Sequence, residues 1–343
     1  MLGLASQVFE PSNFNLADLA SPAATWEVLA TELAAQQTPA EQQFRANLAA
    51  GRGDNHASAN LRLFDAPEGT EPRVVFYRDS ASWCPYCHKV WLILEEKRVP
   101  YRVERVNMSC YGDKPAAFRR LQPSGQIPVA IIDGAVYGQS NDIIDALERT
   151  FTPSNGNHPS LLPDQQMSRA QGLLQLERQF FSAWLQWLTG SARNQGNFER
   201  VLGEVEAALQ ATSRDGPFFL GKDFSLVDAM FAPFLERAVA SLAYFKGFEM
   251  RPFAAALSSS ASKWPGLEAW FQAMEQRPSY RATKSDYYSH AQDLPPQVKY
   301  GELLSSACIY INTFAFACVS VKVLGYFFFK YVPASCDDVN ILH

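Results

Sequence analysis

The stretch that decides the fold is VVFYRDSASWCPYCHKVWLILEEK, residues 74–97. Its first four residues are apolar and mostly β-branched or aromatic, which predicts a short buried strand. From Tyr86 to Lys97 the apolar side chains recur at helical spacing, and Pro100 marks the end of that helix. The motif Cys84-Pro85-Tyr86-Cys87 therefore lies after a strand and at the start of a helix.

This position gives Cys84 a chemical role. A cysteine at a helix N-terminus faces unpaired backbone N–H groups and the positive end of the helix dipole, and both favour the nucleophilic thiolate. Pro85 suits the first helical position, where its missing N–H costs nothing. Cys87, one turn further on, is placed to attack a mixed disulfide on Cys84 and release a thiol. We expect Cys84 to be the nucleophile and Cys87 an optional resolving thiol.

Three other interpretations of the cysteine pair stay open here. The pair could be structural and buried, although its place between a strand and a helix favours a reactive thiol. Zinc would need further ligands, and no second CxxC or histidine pair supplies them, so we expect no metal. The run from Cys84 to His88 also matches the C-x-x-C-H pattern of haem attachment, but no export signal accompanies it. We expect His88 to be an exposed helix residue.

The region from Arg73 to Phe151 predicts one small mixed domain. The elements predicted after the first helix are a strand Tyr101–Val106, a helix 114–121, a strand Val129–Ile132, a turn at Asp133-Gly134, a strand Ala135–Tyr137 and a helix opened by Ser140. The resulting order β-α-β-α-β-β-α is typical of a thioredoxin-like domain.

Two further features of this region predict a peptide-binding site. A cis bond between Ile127 and Pro128 would direct the Ile127 backbone N–H and C=O into the site, where they could pair with a short peptide such as glutathione. The alternative is an ordinary trans proline. Gln139-Ser140 opens a helix, where free N–H groups and a hydroxyl suit a carboxylate. Simple N-capping by Ser140 is the alternative.

The composition limits the class of protein. The 343 residues, 47% of them hydrophobic, suggest two domains with extensions. The net charge is −5 and no block of Lys and Arg stands out, which argues against nucleic-acid binding. Six cysteines are too few for a disulfide framework and fit a reducing compartment. We expect a cytoplasmic location, with the plastid as the alternative.

The second half of the chain predicts helices alone. From Asp164 to about His290 there is no convincing strand, and apolar stripes at helical spacing indicate a bundle. The run Phe224-Ser225-Leu226-Val227-Asp228 predicts a capping box at a helix start, with Phe224 as a staple.

The ends of the chain differ from these domains. Residues 1–60 predict a leader with one short helix around Trp26, followed by a linker from Gln36 to Asn60, with neither a secretory signal nor a transit peptide. Residues 298–343 form a hydrophobic tail. Its 303–329 segment is expected to be a membrane anchor, a packed C-terminal segment or the product of reading through an intron.

Together these features resemble the glutathione transferase superfamily over Arg73 to Pro296, and within it the iota class of photosynthetic organisms. The runs that carry the resemblance are Leu61-Arg62-Leu63-Phe64-Asp65, Tyr77-Arg78-Asp79, Trp83-Cys84-Pro85-Tyr86-Cys87, Lys89-Val90-Trp91, Glu95-Glu96-Lys97, Cys110-Tyr111-Gly112, Gln126-Ile127-Pro128-Val129, Gln139-Ser140, the segment 216–228, Glu275-Gln276-Arg277-Pro278 and the segment 293–297. The implied fold is α+β, with a thioredoxin-like glutathione-binding domain at 61–151 followed by an all-α helical-bundle domain at 163–297.

The resemblance also implies a function. Cysteine-type members of the superfamily favour reductase and thiol-transferase reactions over conjugation, so Cys84 would form a mixed disulfide with the cosubstrate glutathione. The implied site comprises catalytic Cys84 and Cys87, with Pro85, Tyr86, Ile127, Pro128, Gln139 and Ser140 binding substrate. Many members have Glu where this chain has Gln139, which weakens the expected hold on the γ-glutamyl group. Lys114 is expected either to meet the glycine carboxylate or to be solvated.

Other roles remain open at this stage. A ligand carrier or assembly module without turnover is the alternative function, because fold does not fix function. A membrane would be a partner only if the 303–329 segment is an anchor. A homodimer is usual for the family.

Overall fold

The computed structural model describes residues 25–162, 164–251 and 262–295. Contacts divide the chain into two units, one ending at Asn47 and the other beginning at Leu48. The hydrophobic tail lies outside the described residues. Among the helices that are described, none is both long and apolar enough to cross a membrane.

The first described residues form two helices, α1 (Trp26–Ala35) and α2 (Pro39–Ala49), in which no residue is buried. Helix α1 confirms the predicted leader helix. Helix α2 lies within the predicted linker, so that prediction is wrong for this stretch. A capping box in the sequence could have indicated the start of α2. Glu41 accepts the Thr38 N–H at 2.8 Å, and the Glu41 N–H lies 3.3 Å from the Thr38 hydroxyl.

A five-stranded sheet follows in the second unit. Its strands are β1 (Leu61–Arg62), β2 (Val74–Arg78), β3 (Tyr101–Arg105), β4 (Val129–Ile132) and β5 (Ala135–Tyr137), in the order β1-β3-β2-β4-β5. Strands β2 and β3 are parallel, and the other pairs are antiparallel. Strand β1 was not predicted, because two residues are too short to show a period. The turn at Asp133 and Gly134 has positive φ at both residues, as predicted.

Three helices pack with the sheet: α3 (Pro85–Glu96), α4 (Ala116–Leu121) and α5 (Ser140–Thr150). The remaining helices are α6 (Met167–Thr189), α7 (Gln195–Gln210), α8 (Leu226–Lys246), α9 (Pro265–Gln276), α10 (Pro278–Thr283) and α11 (Tyr287–Gln292). A sheet with helices followed by helices alone confirms the predicted fold class. The exact domain borders stay predictions.

Helix α8 is the centre of the helical part. Every residue from Leu226 to Leu242 is buried, and the helix contacts α3, α6 and α11. A helix that is buried on every side belongs to a core, and here the charged residues Asp228, Glu236 and Arg237 are buried with it. Because α3 packs on α8 as well as on α5, both sides of α3 are covered.

The start of α8 depends on one carboxylate. Asp228 is fully buried and accepts four hydrogen bonds: from the Ser225 N–H (2.9 Å) and hydroxyl (2.6 Å), the Phe219 N–H (3.1 Å) and the Trp270 indole N–H (2.8 Å). This confirms the predicted capping box at Ser225. The side chain also joins α8 to α9, because Trp270 lies on α9.

We expect Asp228→Ala to lower the free energy of unfolding far more than Ser225→Ala. Loss of the cap costs about 1 kcal/mol. Loss of Asp228 leaves four donors without an acceptor, three of them from other residues' backbone or ring, and is expected to cost at least about 3 kcal/mol. Urea unfolding of both variants measures the difference. The exposed Asp223→Ala is the control and should change little. Equal losses of unfolding free energy in Asp228→Ala and Ser225→Ala would contradict the role of Asp228 as the acceptor of four hydrogen bonds.

Candidate active site

The sheet register brings the predicted site segments to one edge. Strand β2 ends at Arg78 and leads through a short loop to Cys84. Tyr77 pairs with Val129, the first residue of β4, so Ile127-Pro128 lies beside the end of β2. The Ile127–Pro128 peptide bond is cis, as predicted. Two segments far apart in sequence are therefore neighbours because β2 and β4 are adjacent and antiparallel.

The start of α5 lies at the same edge. Ala130 pairs with Tyr137 at the end of β5, and the chain then enters α5 within three residues. Gln139 is the N-cap residue and is exposed, whereas Ser140 is the first helical residue and is buried. Capping by Ser140 is therefore wrong by one position. The Lys89 ammonium donates to the Asn141 side chain at 2.8 Å and ties α3 to this helix start.

The two cysteines differ in their surroundings. Cys84 is the N-cap of α3, with Pro85 at the first helical position, as predicted. Cys84 is 5% exposed and Cys87 1%. Burial, a hydrogen bond with Cys84 and the charges of Cys84 and Asp79 raise the pKa of Cys87 well above its usual value. Cys87 is thus a protonated thiol near neutral pH, and Cys84 is the thiol nearer the surface.

Asp79 belongs to this site, although the sequence analysis gave it no role. It is 1% exposed, and one carboxylate oxygen accepts the Trp83 N–H at 2.5 Å. A carboxylate oxygen of Asp79 and the sulfurs of Cys84 and Cys87 all lie within 4.8 Å of one another. The available signal was an acidic residue directly after a buried strand and just before the cysteine motif.

Tyr86 and Lys89 extend the site toward the helical part. Tyr86 is half-buried, and its ring meets Phe181 and Phe234 edge-on at centroid distances of 6.4 and 5.8 Å. Lys89 is buried, with its ammonium 5.4 Å from the Tyr86 ring centroid. Burial lowers the pKa of Lys89 to about 8, against the opposing charge of Glu177. Lys89 was not predicted to belong to the site.

The prediction of a solvated Lys114 is wrong. Its side chain is buried rather than solvated, and its ammonium donates to the Asn107 carbonyl at 2.6 Å. The loop after β3 folds back over the lysine, which a helix-start pattern alone does not show.

The prediction for His88 is also wrong. His88 was predicted to be exposed, yet it is 2% exposed. Its Nε2 lies 3.1 Å from the Thr283 hydroxyl and its Nδ1 3.4 Å from a Glu236 oxygen. The reason is that α8 and α10 cover the side of α3 that faces away from the sheet. The apolar pattern of α3 marks only one face as buried, so it predicts that the face with His88 is exposed to solvent.

Four helices meet in the buried cluster around His88. Glu236 on α8 lies 3.4 Å from His88 on α3, 3.6 Å from His290 on α11, and accepts the Tyr280 hydroxyl of α10 at 3.0 Å. Burial alone would raise the pKa of Glu236, but the facing His290, His88 and Arg237 outweigh burial and lower it to about 2. Burial lowers the pKa of His88 to about 3.

The same cluster holds the residue before Cys84. The Arg237 guanidinium donates to the Trp83 carbonyl through Nε (2.8 Å) and Nη2, and the Trp83 indole N–H donates to the His290 carbonyl at 3.1 Å. Trp83 is therefore fixed from α8 and from α11, and the approach of the chain to Cys84 is fixed with it.

Comparison with known families agrees with this architecture. The family model described as glutathione S-transferase, N-terminal domain, matches residues 83–150, and that described as glutathione S-transferase, C-terminal domain, matches residues 186–273. The chain belongs to the glutathione S-transferase superfamily. The N-terminal match begins at Trp83 and so includes the cysteine motif, the cis-proline segment and the start of α5.

Several proteins of similar sequence come from plants. Glutathione S-transferase DHAR2 of Arabidopsis thaliana is 28% identical over 49% of this chain and 72% of its own, and glutathione S-transferase L3 of the same plant is 29% identical over 59% and 79%. The solved dehydroascorbate reductase of Chlamydomonas reinhardtii has the same fold, with a TM-score of 0.52 and 22% identity over 66% of this chain and 98% of its own. Two further relatives are named as chloroplastic and cytosolic. The likeness to the iota class stays a prediction.

We expect the free energy of unfolding of His88→Gln to fall less steeply than that of the wild type as the pH is lowered. Folded His88 stays neutral down to about pH 3, whereas the unfolded chain binds a proton near pH 6.5. The unfolded state therefore binds more protons in this window, and unfolding becomes easier as pH falls. His88 contributes a slope of up to about 1.4 kcal/mol per pH unit, which the variant lacks. Urea unfolding between pH 7 and pH 4 measures this slope. The exposed His56→Gln should keep the wild-type slope, and an unchanged slope in His88→Gln would refute the prediction.

Proposed function

We propose that this transferase is a glutathione-dependent thiol transferase or reductase that works through the Cys84 thiolate. The observation that carries the proposal is the place of Cys84. It opens α3 at the sheet edge where the Ile127-Pro128 segment and the start of α5 also lie. A nucleophilic sulfur beside peptide-binding backbone and free helix N–H groups suits reactions on glutathione.

The reaction has two steps. The Cys84 thiolate attacks the glutathione sulfur of a mixed disulfide, a Cys84–glutathione disulfide forms, and the substrate leaves as its thiolate. A second glutathione thiolate then attacks the glutathione sulfur of this disulfide, oxidised glutathione forms, and Cys84 leaves as its thiolate. Alternatively, Cys87 attacks the Cys84 sulfur, a Cys84–Cys87 disulfide forms, and glutathione leaves as its thiolate. The backbone of Ile127 would hold the glutathione backbone, and Gln139 with the Ser140 hydroxyl would hold the γ-glutamyl group.

The structure gives physical support to this division of labour. Pro85 begins the helix without needing an N–H, and Cys84 is the N-cap residue, next to the positive end of the helix dipole. Cys87 is protonated and buried, and therefore is not the thiol that meets substrate first. The relatives named glutathione S-transferase support the same cosubstrate. We propose the cytoplasm or the plastid as the compartment.

We expect Cys84→Ser to abolish reduction of a small glutathione mixed disulfide, because the hydroxyl of serine does not form a nucleophilic anion near neutral pH. Cys87→Ser should keep much of the turnover, since a second glutathione can resolve the Cys84 disulfide. The measurement is the glutathione-dependent reduction rate of the three proteins at equal concentration.

The outcomes of that comparison separate the mechanisms. Loss of turnover in both variants would indicate an obligatory dithiol cycle. A folded wild type without turnover would overturn the proposal and favour the carrier or assembly module.

We expect Gln139→Glu to lower the KM for glutathione two- to fivefold with little change in kcat. The added carboxylate would pair with the γ-glutamyl ammonium, and an exposed ion pair contributes up to about 1 kcal/mol. Steady-state kinetics with glutathione as the varied substrate measure the effect. Gln43→Glu on α2 adds the same charge elsewhere and should leave KM unchanged. A KM that stays the same in Gln139→Glu would exclude Gln139 from glutathione binding.

A further inference from the structure

Resolution of a disulfide on Cys84 by Cys87 poses a proton-transfer problem. Only a thiolate attacks a disulfide efficiently, yet Cys87 is 1% exposed and has a raised pKa. Bulk water has little access to its sulfur. If Cys87 is to act as a resolving thiol at neutral pH, a group inside the protein has to accept its proton.

Asp79 lies where such an acceptor is needed. A carboxylate oxygen is within 4.8 Å of the sulfurs of both Cys84 and Cys87, and the Asp79 backbone hydrogen-bonds the Cys87 sulfur. One carboxylate oxygen accepts the Trp83 N–H, whereas the other, Oδ1, is buried with no hydrogen-bond partner in the described part of the chain. An acceptor with a vacant lone pair is unusual in a folded interior.

The distance between the carboxylate oxygen and each sulfur is at most 4.8 Å. Catalytic hydrogen bonds are often long without substrate and shorten when it binds, so this separation is compatible with proton transfer during the reaction. The Asp79 carboxylate is held by its hydrogen bond to the N–H of Trp83, the residue that precedes Cys84.

Two guanidinium groups balance the charge of Asp79 in this buried site. Arg78, at the end of β2, donates to the Asp79 carbonyl at 2.8 Å and interacts with the charges of Asp79 and Cys87. Arg237, from α8, interacts with the charges of Asp79 and Cys84. Both guanidinium groups therefore carry positive charge near the Asp79 carboxylate.

We infer that Asp79 is the general base that accepts the proton of Cys87 when Cys87 resolves the Cys84–glutathione disulfide. The inference rests on the proposed function, and it adds a catalytic residue that the glutathione-binding features do not include.

The Cys87 S–H proton passes to the Asp79 carboxylate while the Cys87 sulfur attacks the Cys84 sulfur. The Cys84–glutathione S–S bond breaks, the Cys84–Cys87 S–S bond forms, and glutathione leaves as its thiolate. Asp79 then returns the proton to the leaving thiolate or to water. No net oxidation occurs, because one disulfide replaces another.

Asp79→Asn is the informative variant, because its amide oxygen can still accept the Trp83 N–H while the charge is lost. Asp54→Asn, at an exposed position, is the matched control. The full chain is mixed with oxidised glutathione and quenched at intervals. Mass spectrometry then separates the reduced protein, the Cys84–glutathione adduct and the Cys84–Cys87 disulfide.

We expect the adduct to form at similar rates in all three proteins. Conversion of the adduct to the internal disulfide should be about 100-fold slower in Asp79→Asn at pH 7. In that variant the conversion rate should rise about tenfold per pH unit between pH 6 and pH 9, as the thiolate fraction rises. The wild type should vary little over this range, and Cys87→Ser should stop at the adduct.

Several results would overturn the inference. Equal conversion rates in wild type and Asp79→Asn would remove Asp79 from the step. If Asp79→Asn does not fold, the wild-type profile decides, and a tenfold rise per pH unit there would show that no internal base operates. An adduct that forms but never converts in the wild type refutes the inference and leaves the proposed function intact. No adduct in any protein refutes both.

Discussion

Burial of α3 on two sides is the constraint on which the rest of the structure depends. The helix packs on α5 in the thioredoxin-like part and on α8 in the helical part. Its N-terminus carries Cys84, so the position of the sulfur is determined by both parts of the chain together. A helix held on one side only would leave the cysteine motif near solvent and free to tilt.

The cost of this arrangement is a set of polar groups inside the protein. His88 and Lys89 follow Cys87 directly, and each would be expensive to bury without partners. His88 finds Thr283 and Glu236, and Lys89 finds Asn141. Arg237 in turn donates to the Trp83 carbonyl. These contacts specify one docking position for α3, because any shift would leave a buried donor or acceptor without a partner.

The same burial gives the two cysteines different chemistry. Cys84 opens the helix, and Cys87 lies one turn deeper, where burial and neighbouring negative charge keep it protonated. A CxxC motif on a helix start always separates its thiols by one turn, but it does not by itself decide how different they are. Here the burial of the second thiol, its hydrogen bond with Cys84 and the neighbouring negative charges decide it.

Much of the fold and part of the site could be predicted from local sequence. Strands β2 to β5, helix α3 and the capping box at Ser225 follow from period, turn residues and caps, which act over a few residues. The place of Cys84 at a helix start was predicted for the same reason. The cis bond before Pro128 was predicted only because the chain also carries a cysteine motif at a helix start. Helix α2 was missed because it buries no residue and so shows no apolar stripe.

What the sequence alone determined was therefore most of the elements, their order and the place of Cys84 at a helix start. The tertiary structure alone decided the burial of His88, Lys89 and Lys114, and the meeting of Asp79 with both cysteines. Exposure of a polar side chain depends on which distant helix covers it, and α8 is more than a hundred residues from α3. Periodicity within one element carries no information about that partner.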